Sequence, residues 1–320
     1  MKILRKDLLD LRGLTAGQVQ SLLDLSRAAL QGALPAGALQ GRVVAMLFFE
    51  SSTRTRTSFE LAARRLGAEV VAFDVARSSV QKGESLLDTA RTLEAMGVDA
   101  IVLRHGSSGA PHFVARHVHC SVINAGDGMH EHPTQGLLDL LTVREIKGRI
   151  AGLRVVILGD ILHSRVARST AYGLGLLGAR VVLCGPTTLL PPSLDIPNAT
   201  MTVRIEEALE EADVVIPLRM QLERAAAAFV PSLGEFARLY ALTPQRLCRA
   251  RPDAIVMHPG PMNLGVEITP EVAYGPQSVV LRQVAHGVAV RMAVLYDLLA
   301  APPAHPELRP VAQRVAAGVS

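Results

Sequence analysis

The chain has 320 residues, more than one compact domain usually holds, and 49% of them are hydrophobic, so two lobes with ordinary cores are expected and a disordered chain is excluded. Its 33 Lys and Arg against 29 Asp and Glu leave a formal charge of +4. With no tryptophan and only 4 tyrosines for stacking on bases, that excess suits small anionic ligands and argues against a nucleic-acid partner.

From the N-terminus, Met1 to Asp7 lacks the apolar core of a signal sequence and no apolar run reaches membrane-spanning length, which makes the cytoplasm the expected location, with no membrane partner. Strand-length apolar runs then alternate with segments of helical period, the pattern of βα units in parallel sheets. The strand candidates are Arg42 to Phe49, Glu69 to Val75, Asp99 to Arg104, Ser121 to Asn124, Arg154 to Leu158, Arg180 to Leu183, Asp213 to Leu218 and Ala254 to Met257. Between the first pair, Phe59, Ala62, Ala63 and Leu66 share one helical face, and Gly67 follows as a stop. His132 to Lys147, with Leu137, Leu138 and Leu141 on one face, separates two groups of strands and reads as a connecting helix. Val280, Val284, Val288, Met292, Leu295 and Leu299 mark a long helix that returns to the first lobe. The fold expected is α/β: two lobes, each a parallel sheet flanked by helices, joined by the connecting helix and the returning C-terminal helix. The first domain is expected over 1–131 and 288–304, the second over 132–287, and a tail over 305–320.

Phe48 to Glu60 places hydroxyls and guanidinia between a buried strand and a helix start. The first turn of a helix offers unpaired N–H groups and a positive dipole end, to which Ser52, Thr53 and Thr55 add donors and Arg54 a forked charge, so a phosphate is the fitting ligand. Leu158 to Arg168 likewise follows a strand and opens a helix, but lacks the glycines with which a dinucleotide's pyrophosphate is approached. There Arg165 and Arg168 offer forks for carboxylates. Cys120, Cys184 and Cys248 lie far apart, so neither a zinc site nor a disulfide framework is expected, and all three read as buried small hydrophobes.

Ser52-Thr53-Arg54-Thr55-Arg56 resembles the carbamoyl phosphate signature of the aspartate and ornithine carbamoyltransferases. Ser78 to Ser85 resembles the loop that in this family reaches into a neighbouring subunit's site; Val102 to His105 and His132-Pro133-Thr134-Gln135 resemble its strand-end arginine and carbonyl-binding box. Leu218 to Arg224 and His258 to Ile268 resemble the acceptor motifs of the aspartate enzymes, whereas the Ser-Met-Gly and His-Cys-Leu-Pro motifs of the ornithine enzymes do not occur. Leu264 stands where the bacterial pattern of that loop carries arginine.

The resemblance implies a carbamoyl transfer to L-aspartate, a step of pyrimidine biosynthesis, with no cofactor and no metal. Ser52, Thr53, Arg54 and Thr55 would hold the phosphoryl group and Arg104 would bridge phosphate and carbonyl oxygens. His132 and Thr55 would polarise the carbonyl, Gln135 would orient the carbamoyl NH2, and Ser78 and Lys82 of an adjacent chain would complete the site, Lys82 also reaching the aspartate. Arg165 would take the α-carboxylate of aspartate, Arg219 with Gln221 the β-carboxylate, and the carbonyls of Pro259 and Gly260 the reacting nitrogens. Glu50 and Arg224 would help lock the closed lobes. The implied assembly is a homotrimer, with a regulatory chain or a dihydroorotase as possible partners. A carbamoyltransferase for another acceptor, or a non-catalytic paralogue acting as a scaffold, stays open.

Overall fold

The computed structural model describes residues 2–73, 83–193, 195–220 and 232–300. The chain forms two compact units. One comprises residues up to Gly13, Gly17–Thr134 and Gly287 onward; the other comprises Leu14–Ala16 and Gln135–His286.

The first unit is built on β1 (Val43–Phe48), β2 (Glu69–Phe73), β3 (Ala100–His105) and β4 (Ser121–Asp127), with all neighbours parallel and the spatial order β2-β1-β3-β4. β1 and β3 are apolar runs buried in the middle of the sheet, as a parallel sheet covered on both faces requires. Helix α1 (Ala16–Leu30) precedes them, α2 (Thr53–Arg65) crosses from β1 to β2, and α3 (Leu86–Ala95) and α4 (Ala110–Ala115) flank β3. Helix α2 buries Phe59, Ala62 and Ala63, with Leu66 at its C-cap, as the spacing predicted, and Thr55 beside them. It ends where Gly67 turns at φ 85°, so close to another turn that a Cβ there would lie 2.9 Å from Gly37 Cα. The outer side of β4 is covered by the N-terminal segment: the N–H of Leu8 donates to Val122 O at 3.0 Å and that of Asn124 to Leu8 O at 2.9 Å. No apolar run announced that contact.

The second unit carries β5 (Arg154–Leu158), β6 (Arg180–Cys184), β7 (Ala199–Thr202), β8 (Val214–Pro217) and β9 (Ile255–Val256) in the order β7-β6-β5-β8-β9, again all parallel. Its helices include α6 (Arg165–Leu176), α7 (Ile205–Leu209), α8 (Leu233–Tyr240), α9 (Pro244–Leu247) and α10 (Pro270–Ala273). Strand β7 was not expected, because an edge strand reading Ala-Thr-Met-Thr, half exposed, has no continuous apolar run.

Helices α5 (Pro133–Lys147) and α11 (Val280–Leu299) carry the chain between units; the divisions at 134/135 and 286/287 fall inside them. Helix α5 differs from its expected one-faced form, because every residue from Pro133 to Val143 is buried. A helix covered all round must pair its polar side chains internally, and Asp139 and Thr142 do so. Among the described residues no helix is long and apolar enough to cross a membrane. The cysteines depart from expectation: Cys184 is buried and its thiol is pushed up to about 12 by burial, but Cys120 is only partly buried, and Cys248, just past α9, is exposed.

Candidate active site

In the first unit the chain runs from β1 to β2 on one flank and returns to β3 on the other. The carboxyl ends of β1 and β3 therefore bound a switch point, where open α/β sheets bind ligands. Parallel register pairs Phe48 with Arg104, and the N–H of Phe49 donates to Arg104 O at 2.9 Å, which sets the loop after β1 beside the arginine. Ser52 occupies the N-cap of α2 without a side-chain capping bond, so its hydroxyl does not serve the amides of the first turn. Those amides have no partners within the helix, the arrangement with which helix N-termini receive anions. Thr53 and Arg54 are exposed, whereas Thr55 is buried on the inner side of the same turn. Its Oγ1 lies 3.5 Å from Nε2 of His132, itself buried. Arg104 is held from two sides: Nη1 donates to Ala125 O at 3.2 Å and Nε stands 3.5 Å from a carboxylate oxygen of Glu50.

The approach to His132 is shaped by a bulge and a turn. Register between β3 and β4 shifts between Leu103 and His105, next to Arg104. Beyond it the fully buried Asp127 accepts from Gly109 N at 2.6 Å, Asn124 Nδ2 at 2.8 Å and Glu131 N at 3.1 Å, with His130 Nδ1 at 3.1 Å. Burial pushes the Asp127 carboxyl up, but the bonds from His130, Asn124 and Gly109 outweigh it and hold it below the ordinary range. The same bond raises His130 above the usual histidine value, against its own burial. Gly128 turns at φ 47°, where a Cβ would come 2.5 Å from Ser108 Oγ and 2.7 Å from Ser108 N, so only glycine fits. Of the described residues, His112, Asp127 and His130 have donor atoms within 4.8 Å of one another, a spacing that could hold a metal ion. His112, however, is paired with Asp10 at 2.8 Å and both Asp127 oxygens are engaged, so the group acts as a latch on the turn.

The second unit repeats the plan. The chain goes from β5 to β6 on one flank and returns to β8 on the other, so the carboxyl ends of β5 and β8 form its switch point. Arg165 opens α6 behind Ser164, whose hydroxyl accepts from Ala167 N at 3.1 Å, and its side chain is buried, 6% exposed. Arg219 follows β8, half buried. Pro259 and Gly260 follow β9 in a loop pinned by Glu267, which is also buried: Oε1 accepts from Asn263 N at 2.6 Å and lies 3.2 Å from His258 Nε2. Asn263 Nδ2 in turn donates to Met220 O at 2.9 Å, tying this loop to the segment of Arg219. Gln135, on α5, donates from Nε2 to Asp139 at 3.0 Å.

The first unit thus gathers Glu50, Ser52, Thr53, Arg54, Thr55, Arg104 and His132 at one switch point, and the second carries Gln135, Arg165, Arg219, Pro259 and Gly260. Ser78, Lys82, Gln221 and Arg224 lie outside the described residues. Asp127, Asp139 and Glu267 were missed by reading for ligand contacts. Their signal was a carboxylate within an apolar or glycine-rich stretch, as in Leu138-Asp139-Leu140 and Gly126-Asp127-Gly128.

The family model for the aspartate/ornithine carbamoyltransferase carbamoyl-P binding domain matches residues 6–145, and that for the Asp/Orn binding domain matches residues 151–298. The chain belongs to the aspartate/ornithine carbamoyltransferase family. Within this family the aspartate carbamoyltransferase catalytic subunit of Heliobacterium modesticaldum is 54% identical over 299 residues, 92% of this chain and 96% of that protein. The crystal structure of aspartate transcarbamoylase from Trypanosoma cruzi with N-(phosphonacetyl)-L-aspartic acid superposes with a TM-score of 0.83 at 31% identity, covering 92% of this chain and 96% of that one. Ornithine carbamoyltransferase from Pyrococcus furiosus gives a TM-score of 0.85 at 28% identity, covering 94% and 99%. The carbamoyltransferase fold serves aspartate and ornithine enzymes alike, so it does not by itself select the acceptor.

Proposed function

We propose that this carbamoyltransferase moves the carbamoyl group from carbamoyl phosphate to the α-amine of L-aspartate, giving N-carbamoyl-L-aspartate and phosphate. One observation carries the choice of acceptor: the acceptor-side switch point is furnished with guanidinia, Arg165 at the start of α6 and Arg219 after β8. Two forked cations suit a dicarboxylate and repel the ammonium side chain of ornithine.

On the donor side, Ser52, Thr53, Arg54 and the first-turn amides of α2 grip the phosphoryl group, while Thr55, Arg104 and His132 polarise the carbonyl. The amine attacks the carbamoyl carbon, a tetrahedral intermediate forms, and the C–O bond to phosphate breaks. The leaving phosphate keeps the bonding pair and takes the amine proton. No covalent enzyme intermediate is needed; fixed donors facing the developing oxyanion supply the rate, each typically about 10²–10³ in kcat. Gln135 accepts from the carbamoyl NH2, and the carbonyls of Pro259 and Gly260 meet the reacting nitrogens.

The assembly that fits the resemblance is a cytoplasmic homotrimer in which Ser78 and Lys82 of one chain complete a neighbour's site, with Gln221 assisting Arg219, and Arg224 and Glu50 acting in closure. Mixing chains carrying Lys82→Ala with chains carrying Arg54→Ala tests the sharing: restored turnover supports it, and none contradicts it. An acceptor panel scored by phosphate release tests the reaction. Release with aspartate and not with ornithine is expected; release with ornithine alone would overturn the assignment.

A further inference from the structure

Three donors converge on one carboxylate inside the second unit. Asp139 lies in the apolar middle of α5 and is 0% exposed. Its Oδ1 accepts from Gln135 Nε2 at 3.0 Å and from Gln283 Nε2 at 2.7 Å, and its Oδ2 accepts from Thr170 Oγ1 at 2.6 Å. The donors come from three helices, α5, α11 and α6, and Gln283 continues the chain, because its Oε1 accepts from His258 N at 2.9 Å. His258 is the residue before Pro259 and Gly260.

We infer that Asp139 is a positioning residue: by accepting from both Gln135 and Gln283 it fixes the Gln135 amide with its oxygen outward and ties that amide to the His258–Gly260 loop. The chemistry forces the orientation. An amide can present either its oxygen or its NH2 to a neighbour, and the two are nearly isosteric. A carboxylate accepts and does not donate, so Gln135 must turn its NH2 toward Asp139 and leave Oε1 on the other side. The carbamoyl group of the donor presents an NH2, for which an outward oxygen is the matching partner and an outward NH2 a mismatch. This rests on the proposed role of Gln135. It adds what keeps that glutamine from flipping, and it makes the preference for a carbamoyl over an acetyl donor a property of a side chain that touches neither. A buried acidic residue with no such task would be replaceable by an apolar residue of similar size without selective effect.

The test compares carbamoyl phosphate with acetyl phosphate, which keeps the phosphate and replaces the NH2 by a methyl. The readout is the ratio of the inhibition constant of acetyl phosphate to the KM of carbamoyl phosphate. In Asp139→Leu, which offers no acceptor to either glutamine, the ratio is expected to fall about tenfold, the size of one hydrogen bond to a neutral donor. The affinity for acetyl phosphate should change less than about twofold, since a methyl makes no such bond. Gln135→Leu should lower the ratio equally, and adding Asp139→Leu to it should lower it no further, because both act through the same oxygen. If Asp139→Leu does not fold, Gln283→Leu removes the second amide that clamps Oδ1 and should lower the ratio a few-fold. An unchanged ratio in Asp139→Leu or Gln283→Leu, with Gln135→Leu lowered, overturns the positioning role alone. An unchanged ratio in Gln135→Leu overturns the reading of Gln135, and the proposal with it.

Discussion

The two units solve one architectural problem with different chemistry. Each places the residues proposed to handle ligands at the carboxyl ends of the strands where the sheet order reverses, β1 and β3 in the first and β5 and β8 in the second. Each also opens its central strand in the same way, with an aspartate beside it accepting the strand's first N–H: Asp99 from Val43 and Asp213 from Arg154, both at 2.8 Å. Each pins a loop with a buried carboxylate, Asp127 in one and Glu267 in the other. What differs is the furniture. The first unit offers hydroxyls, helix amides and Arg54 in one turn, which suits a phosphoryl group with many acceptor oxygens; the second offers Arg165 and Arg219 on separate segments, which suits two carboxylates at the ends of a short chain. Shared scaffold with divergent donors explains why structures of aspartate and ornithine enzymes superpose on this chain about equally well, since the acceptor is chosen by a few residues that backbone similarity does not register.

The contrast can be broken from either side. The largest effect is expected for Arg54→Ala, which should cost about 10²–10³ in kcat/KM for carbamoyl phosphate while the fold, checked by circular dichroism, persists because Arg54 is exposed. Arg219→Met should raise the KM for aspartate about 10–100-fold, the size of one charge-assisted bond, and leave phosphate affinity within about twofold. A variant that weakened both ligands equally would erase the division of labour. Gly128→Ala pushes a Cβ against Ser108 at a left-handed turn and should lower stability by about 1–3 kcal/mol in thermal unfolding, reducing turnover through His132.

The smallest effect concerns His130. Its pKa is raised by Asp127, so the stabilisation is complete below the ordinary histidine value of about 6.5 and is lost as pH rises through the raised value. Asp127, held low, adds stability above its ordinary value that is lost as pH falls through the lowered one. In His130→Asn the stability deficit relative to the parent chain should therefore shrink from about pH 6 to about pH 9, by less than about 1 kcal/mol, since a side chain 35% exposed is screened by water. Denaturant midpoints at the two pH values measure it.

Much of this was legible in the sequence because parallel strands are apolar runs, and the eight runs read that way all became strands, seven of them largely buried and β2, at a sheet edge, largely exposed. Among the described residues the strand not foreseen is β7, whose four residues Ala-Thr-Met-Thr lack the apolar run that the other exposed edge strand, β2, retains. The Ser and Thr cluster with arginines was equally plain as the exit of a buried strand, and it does open α2 directly after β1. Positioning residues were not, because Asp139 and Glu267 declare themselves only through partners far along the chain, as when Gln283 donates to Asp139. A buried carboxylate looks the same in sequence whether it orients a neighbour or merely survives in a core. The covering of β4 by Leu8 was hidden for a related reason, since it consists of main-chain bonds that any side chain could accompany.

The central claim is that the first unit's turn binds a phosphoryl group and the second unit's arginines bind a dicarboxylate in one reaction. Calorimetric titration with N-(phosphonacetyl)-L-aspartate, which joins both groups, tests it most directly. The account predicts tight binding by the parent chain, weakened by Arg54→Ala and by Arg219→Met alike, with inorganic phosphate binding sensitive to the first substitution only. Binding of the joined ligand that survives either substitution unchanged would contradict it.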